Sequence, residues 1–294
     1  MANRRVLVKR RKAVRNIRKI TRTMQLIATA RFQAAFNRAV ATKPYTEKLA
    51  ELVADLSRAA GDVDHPLLQT HDDVRRSALV VLTSDRGLAG GYNAGILRAA
   101  IGHLDERSAG GVETSVHMVG KKGIGFFRFL RRAVAEQTTG ISDKPRFDQV
   151  EPIANALMDR FIRGEIGSAY VAYMRFVSAG VQRPAVVQLL PLAPQTPSGE
   201  APAQSPAKSV EYEFSPDPRQ LLDELLPATV RARLFQAFTD AAVSEQVARM
   251  VAMKAATDAA GDMIKSLTRE YNRARQTQIT MELLDIIGGA NSLS

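Results

Sequence analysis

The chain has 294 residues, 45% of them hydrophobic, with 41 Lys+Arg against 30 Asp+Glu, a formal net charge of +11 and no cysteine. That length fills one or two globular domains, and the missing thiols exclude disulfides, cysteine-ligated zinc and a thiol nucleophile while permitting a reducing compartment. No apolar run is long enough to span a bilayer, and the basic opening stretch lacks the apolar segment of a secretory signal, so any work at a membrane is expected to be peripheral.

The positive charge is concentrated at one end. Residues 1–46 hold thirteen Lys/Arg and no acid, the first being Glu47, and the rest of the chain is close to neutral. A merely solvated helix mixes signs to gain i,i+4 pairs. This one does not, so an anionic partner is expected: nucleic acid, a membrane surface or an acidic protein surface. The first proline is Pro44 and the first glycine Gly61, which predicts one long helix over residues 1–60, ended by the stretch 57–66. Within it Ile17, Ile20, Met24 and Ile27 recur at steps of three and four, after which the stripe moves to Ala28, Phe32, Ala35 and Ala39. That drift predicts gentle wrapping about a partner rather than a strict heptad zipper.

Residues 75–192 alternate strand and helix signals. The β-branched apolar run 77–84 predicts a buried strand, 85–93 a tight turn, and 94–103 a helix. A second strand over 115–119 leads through Gly120 and Gly123 into a helix carrying Phe126, Phe127 and Phe129. A third strand is predicted over 134–138, a helix over 152–163, and a final pair of strands over 169–176 and 185–190 with a turn near Gly180. The alternation predicts a layered α/β domain with parallel pairs and a closing hairpin. Residues 193–209 are a Pro/Ala/Ser-rich segment that reads as a solvated linker.

Residues 210–290 begin with a turn-rich stretch, 212–218, that feeds the last helix. Between Leu221 and Gly288 only Pro227 and Gly261 interrupt it, so a continuous helix from about Ala228 to Ile287 is expected, spanning roughly 90 Å at ~1.5 Å per residue. A rod of that length needs a partner, and the first helix supplies one, giving an antiparallel two-helix shaft. Alanines such as Ala241, Ala248, Ala252, Ala256 and Ala260 favour helix and close backbone approach. Ile264, Leu267, Tyr271, Ala274, Gln278 and Met281 continue the stripe. Polar Arg249, Thr257, Asp258, Asn272, Arg275, Gln276 and Thr280 break an otherwise apolar surface on more than one face. The last turns, with Ile279, Met281, Leu283, Leu284, Ile286 and Ile287, are apolar nearly all round, so more than one helix is expected to enclose them.

No catalytic constellation emerges. The glycines of 87–91 resemble a phosphate cradle at a helix start, but neither they nor Gly120, Gly123 and Gly125 fit a dinucleotide fingerprint, and no phosphate-loop motif occurs. Both clusters read as strand-to-helix turns. His65, His71, His103 and His117 are scattered without metal-site spacing, Ser84 and Ser115 lack a nucleophile-elbow setting, and Asp85 beside Arg86 reads as a local turn ion pair. No cofactor and no metal is expected. A nucleic-acid-binding coiled coil over 1–43 would need exposed stacking positions, yet that stretch offers only Phe32 and Phe36, both near the apolar stripe. A dinucleotide-dependent enzyme on 77–192 is discouraged by the failed fingerprints.

Three segments carry a family likeness: KITRTMQLIATAR at 19–31, TSDRGLAGGYN at 83–93, and the stretch 244–290. In order and separation they resemble the gamma subunit family of the rotary F-type ATP synthase, and the likeness runs end to end. The resemblance implies an α/β fold plus a long coiled coil, with N- and C-terminal helices antiparallel and a central Rossmann-like domain. It implies a non-catalytic central-stalk rotor that couples ion flow through a membrane c-ring to conformational cycling of catalytic beta subunits. The implied partners are the alpha and beta subunits of a hexamer, the epsilon subunit and the c-ring, with no nucleic acid and no small-molecule substrate. The implied location is peripheral, on the cytoplasmic face of a bacterial inner membrane. By resemblance, Met24 and its basic neighbours face an acidic lever loop of beta. Arg275 and Gln276 hydrogen-bond a beta catch loop, with Arg249 and Thr280 in the same network, and Tyr212 and Asp217 lie in a foot against the ring. Ala89 stands where the family commonly has cysteine, and no redox-cysteine insert is present, which argues against the light-regulated plant form.

Overall fold

A computed structural model describes residues 4–60, 65–71, 73–141, 143–192 and 218–291. In chain order these form α1 (Arg4–Ala60), β1 (Arg76–Leu82), α2 (Tyr92–Ala109), β2 (Glu113–Val119), α3 (Lys121–Phe129), β3 (Glu136–Thr138), α4 (Phe147–Ile162), β4 (Ser168–Ser178), β5 (Val181–Leu190) and α5 (Pro218–Asn291). Two units emerge, each with its own contacts. One comprises Met1–Ala30, Leu88–Gly90 and Ala248–Ser294; the other comprises Arg31–Gly87 and Gly91–Val247. The helices α1 and α5 contribute residues to both.

In the larger unit the sheet order is β3-β2-β1-β4-β5. Strands β1 to β4 pair in parallel, from Arg76↔Glu113 to Leu82↔Val119 on one side of β1 and from Ser77↔Ser168 to Val81↔Ala172 on the other, while β5 returns antiparallel to β4. The central strand is apolar on both faces because both are covered, as parallel sheets require. Ala78, Val80 and Leu82 enter one cluster with Val150, Leu157 and Phe161 of α4 and with Leu222, Leu226, Val230 and Leu234 of α5. The expected third strand is shorter than its apolar run, and α2 and α4 begin earlier than their sequence patterns indicated.

That cluster also explains a correction. α5 starts at Pro218, not near Ala228, and Pro227 lies inside it, as Pro44 lies inside α1. An interior proline costs roughly 3 kcal/mol in a helix. Leu222, Leu226, Val230 and Leu234, all fully buried at four-residue steps across the proline, each contribute about 1.5–3 kcal/mol of burial. Packing outweighs the local penalty.

In the smaller unit α1 and α5 run antiparallel. Thr257 Oγ1 donates to Thr21 Oγ1 at 2.8 Å, both side chains buried. The Arg11 guanidinium sits 5.0 Å from the Tyr271 ring centre, and a Cβ on Gly261 would meet the Arg18 side chain at 3.9 Å. Residue numbers rise along one helix as they fall along the other. The inward face of α1, however, is not the predicted isoleucine stripe. Leu7, Thr21, Ala28, Ala35, Leu49 and Leu56 are the buried positions at seven-residue intervals, with Val14 and Thr42 half-buried between them. The second half of the expected stripe holds, with Ala28, Ala35 and Ala39 buried and Phe32 half-buried, whereas in the first half Ile17, Ile20 and Ile27 are 52%, 59% and 49% exposed. Small residues on the seam allow the helix axes to approach, which leaves the large side chains outside. On α5 the inward stripe holds through Leu267, Tyr271 and Ala274, but Gln278 and Met281 face outward.

Candidate partner-binding surface

The smaller unit carries its chemistry on its outside. Lys12, Arg15, Arg18, Lys19 and Arg22 of α1, with Ile264 of α5, line an open groove of about 640 Å³ that has no acidic lining residue. On one helix these positions recur at three- and four-residue steps, so their charges share a face and their fields add. Beside them Ile17, Ile20, Leu26 and Ile27 are exposed, as are Val251 and Met263 on α5. At the end of α5, Ile279, Met281, Leu283, Leu284, Ile286 and Ile287 are all exposed, Ile286 to 71%. Contiguous apolar surface of this kind marks an interaction site.

The residues singled out from the sequence fall into three groups. Met24 is half-buried on α1. Arg275, Gln276 and Thr280 are exposed on adjacent turns of α5, where Thr280 Oγ1 donates to the Gln276 carbonyl at 3.0 Å, leaving both side-chain faces outward. Arg249 stands apart. It is only 6% exposed, and the helix carries it roughly 39 Å along the axis from Arg275 at ~1.5 Å per residue, too far to share one loop with Gln276 and Thr280. Tyr212 and Asp217 lie outside the described residues.

The enzyme-like motifs of the larger unit are structural. Ser84 is fully buried, its hydroxyl donating to the Arg86 carbonyl at 2.6 Å while Asn93 Nδ2 donates back to it at 2.8 Å. Asp85 does more than a local ion pair: its carboxylate accepts the N–H of Lys121 at 3.1 Å and of Gly140 at 2.8 Å, joining the loops after β1, β2 and β3. The Arg86 guanidinium lies 3.8 Å from Asp143, which also takes Arg31 at 3.0 Å and Gln246 at 3.4 Å. Gly120 has φ +95°, and a Cβ there would overlap the Thr83 carbonyl, so this glycine serves a close approach between strand ends.

The crevice outside the carboxyl ends of β1 and β4, where doubly wound sheets bind ligands, is occupied by α5. Tyr92 donates its hydroxyl to the Ala241 carbonyl at 3.1 Å, and Ser244 donates to the Met174 carbonyl at 3.0 Å. In the smaller unit Gly90, at φ +56°, presents a position 3.6 Å from Ala252 Cβ, so the glycine-rich turn meets a helix of small residues. His117 is held between Glu136 and Thr138, and burial, partly offset by Glu136, pushes its pKa down. Among the described residues no group of three His, Asp or Glu is placed to hold a metal ion, and no helix is long and apolar enough to cross a membrane.

Sequence reasoning missed the Asp143 junction, two of whose partners, Arg31 and Gln246, lie more than a hundred residues away, and Asp240 on α5, which takes a bond from Gln236 Nε2 at 2.8 Å and whose pKa burial pushes up to about 6. It also missed the Thr21–Thr257 pair, which the seven-residue spacing of Thr21, Ala28 and Ala35 signals.

Comparison with known proteins covers the whole chain. A family model described as ATP synthase matches residues 3–293. The ATP synthase gamma chain of Rhodopirellula baltica is 44% identical over 294 residues, covering all of this chain and 99% of its relative. That of Leptospira biflexa is 39% identical with both chains fully covered. In structure, a chain of the Euglena gracilis mitochondrial ATP synthase (OSCP/F1/c-ring) superposes with a TM-score of 0.68 at 17% identity, covering 99% of this chain and 94% of that one, which speaks to fold alone. On these matches, continuous from the basic helix to the end of α5, the chain belongs to the ATP synthase gamma chain family.

Proposed function

We propose that this chain is the central-stalk rotor of a rotary ATP synthase, coupling ion flow through a membrane c-ring to conformational cycling of catalytic beta subunits. The observation that carries the reading is the antiparallel helix pair of the smaller unit. It buries Thr21, Ala28, Thr257 and Ala260 together with Leu7, Met253 and Leu267, and leaves a basic face and many large apolar side chains outside. A pair that only needed to hold itself together would reverse that arrangement. The apolar end of α5 fits a sleeve of alpha and beta subunits, and the basic face of α1, with Met24 beside it, fits an acidic loop of beta. Arg275 and Gln276 would hydrogen-bond a second beta loop, with Thr280 on the next turn. Tyr212 and Asp217 are proposed to meet the c-ring and Arg249 to bear on beta separately, with the epsilon subunit also bound. Catalysis then belongs to beta, and the assembly sits peripherally at the cytoplasmic face of a bacterial inner membrane.

The mechanism is a population shift. An asymmetric shaft touches three chemically identical beta subunits differently, so each orientation stabilises a different open or closed set by its differential contacts. The test is Arg275→Ala with Gln276→Ala in a reconstituted complex. Two exposed groups leave the isolated chain's melting unchanged, while loss of hydrogen bonds involving a charged group, about 1.5–3 kcal/mol each, lowers coupled ATP hydrolysis and synthesis at least several-fold. Unchanged rates of both would refute the assigned contacts.

A further inference from the structure

A second polar site lies at the opposite end of the sheet from the crevice filled by α5. A cavity of about 400 Å³ opens at the amino ends of β1 and β4, lined by His71, Arg75, Arg107, Ser168, Tyr170 and Gln188 among others, with no Asp or Glu among the described lining residues. Arg107 is fixed in place: Nη2 donates to Ser168 Oγ at 3.0 Å, and its Cζ lies 5.3 Å from the Tyr170 ring centre. Its Nε is buried and makes no hydrogen bond among the described residues. Arg75 is anchored through Nη1 to the Gly110 carbonyl at 3.3 Å.

His71 repeats the pattern. Its ring packs edge-on to Phe161 at 4.8 Å, and its carbonyl takes the Val74 N–H at 3.1 Å. Its Nε2 is likewise buried without a partner among the described residues. Gly167 packs under this loop so closely that a Cβ would come within 2.8 Å of the His71 carbonyl. His71 and Val74 are therefore packed directly against Gly167. Buried nitrogen groups with no partner each cost about 1–3 kcal/mol, and two belong to side chains that line this cavity beside a second guanidinium. A described wall with two guanidinium groups and no carboxylate suits an oxyanion, and its volume falls within the range of small-ligand sites.

We propose that this cavity binds a phosphate group, presented either by inorganic phosphate and small phosphomonoesters or by the headgroup of an anionic phospholipid. Arg107 and Arg75 contact its oxygens, and the His71 ring, on the same wall, lies close enough to report the bound anion.

The experiment uses the full chain. Inorganic phosphate is titrated calorimetrically and by the His71 imidazole resonances, and phosphatidylcholine vesicles with or without phosphatidic acid are used in flotation. Arg107→Gln and, as a second variant, Arg75→Gln are compared with Arg128→Gln on the exposed face of α3, with far-UV circular dichroism recording the fold. Expected are a shift of the His71 signals on phosphate addition, at least tenfold weaker binding in either cavity variant, and less than a twofold change in Arg128→Gln. Phosphate binding alone assigns a soluble ligand; cavity-dependent flotation alone assigns a lipid headgroup. Binding of neither probe, or losses no greater in the folded cavity variants than in Arg128→Gln, overturns the proposal.

Discussion

Asp240→Asn tests a carboxyl whose burial sets a pH dependence in the larger unit. Asp240 receives Gln236 Nε2 at 2.8 Å and feels the positive charges of Arg175 and Lys43, but burial dominates and pushes its pKa from 3.8 up to about 6. Tyr173, also facing it, is itself pushed up by burial. An acid whose folded pKa is raised binds more protons in the native state. Stability is therefore greatest below the unfolded value near 4 and falls as pH rises through 6. At 1.36 kcal/mol per unit, the cost of ionising Asp240 above pH 6 reaches about 3 kcal/mol as a ceiling. Asparagine keeps the size and the bond from Gln236 but cannot ionise. Urea unfolding of both proteins at pH 5 and pH 7.5, followed by far-UV circular dichroism, should show the Asn variant gaining about 1–1.5 kcal/mol over wild type between the two conditions, the rest of the ceiling being lost already between pH 4 and pH 5. A stability difference that stays flat across that range, or wild type winning at pH 7.5, would refute the burial argument.

Gly120→Ala forces a side chain into the Thr83 carbonyl at a positive φ and should destabilise by more than about 3 kcal/mol, whereas Gly125→Ala, with open space around it, should gain up to about 1 kcal/mol; thermal melts decide both. Ala256→Pro breaks the hydrogen-bond ladder of α5 at a point where no buried leucine column compensates, costing about 3 kcal/mol or more, and unaltered helicity would contradict a continuous helix there. Ile17→Ser with Ile20→Ser should shift the chain's own stability by less than about 0.5 kcal/mol per site, since both are exposed. In reconstitution with alpha and beta subunits the same change removes about 1.5–3 kcal/mol of burial per side chain, and undiminished assembly would mean that this face is not covered.

The legible parts of the molecule were those where one physical cause acts alone. Residues 78–82 form an unbroken apolar run, and only a strand covered on both faces uses one. Beyond Ala228 only Gly261 could interrupt the helix, and the helix runs through it. The misreadings arose where two causes compete. Pro227 carries a local penalty, but the flanking Leu222, Leu226, Val230 and Leu234 pack against residues far away in sequence and overrule it. The isoleucines of α1 read as inward because size usually means burial. That inference fails for a helix whose outer face meets other chains, since the seam can be made of Thr21, Ala28 and Ala35 while Ile17 and Ile20 remain outside. Arg31, Asp143 and Gln246 carry no local signal, because loops from distant parts of the chain place Asp143 between them.

The alanine seam has a mechanical corollary. A side chain without χ angles has no alternative rotamer to hop into, so where Ala28 and Ala260 are buried in the pair of α1 and α5 there is little that can slip before the backbones themselves deform. Torque applied across such a joint is not dissipated in side-chain rearrangement; it is held as elastic strain in the hydrogen-bonded ladders and returned when the load is released.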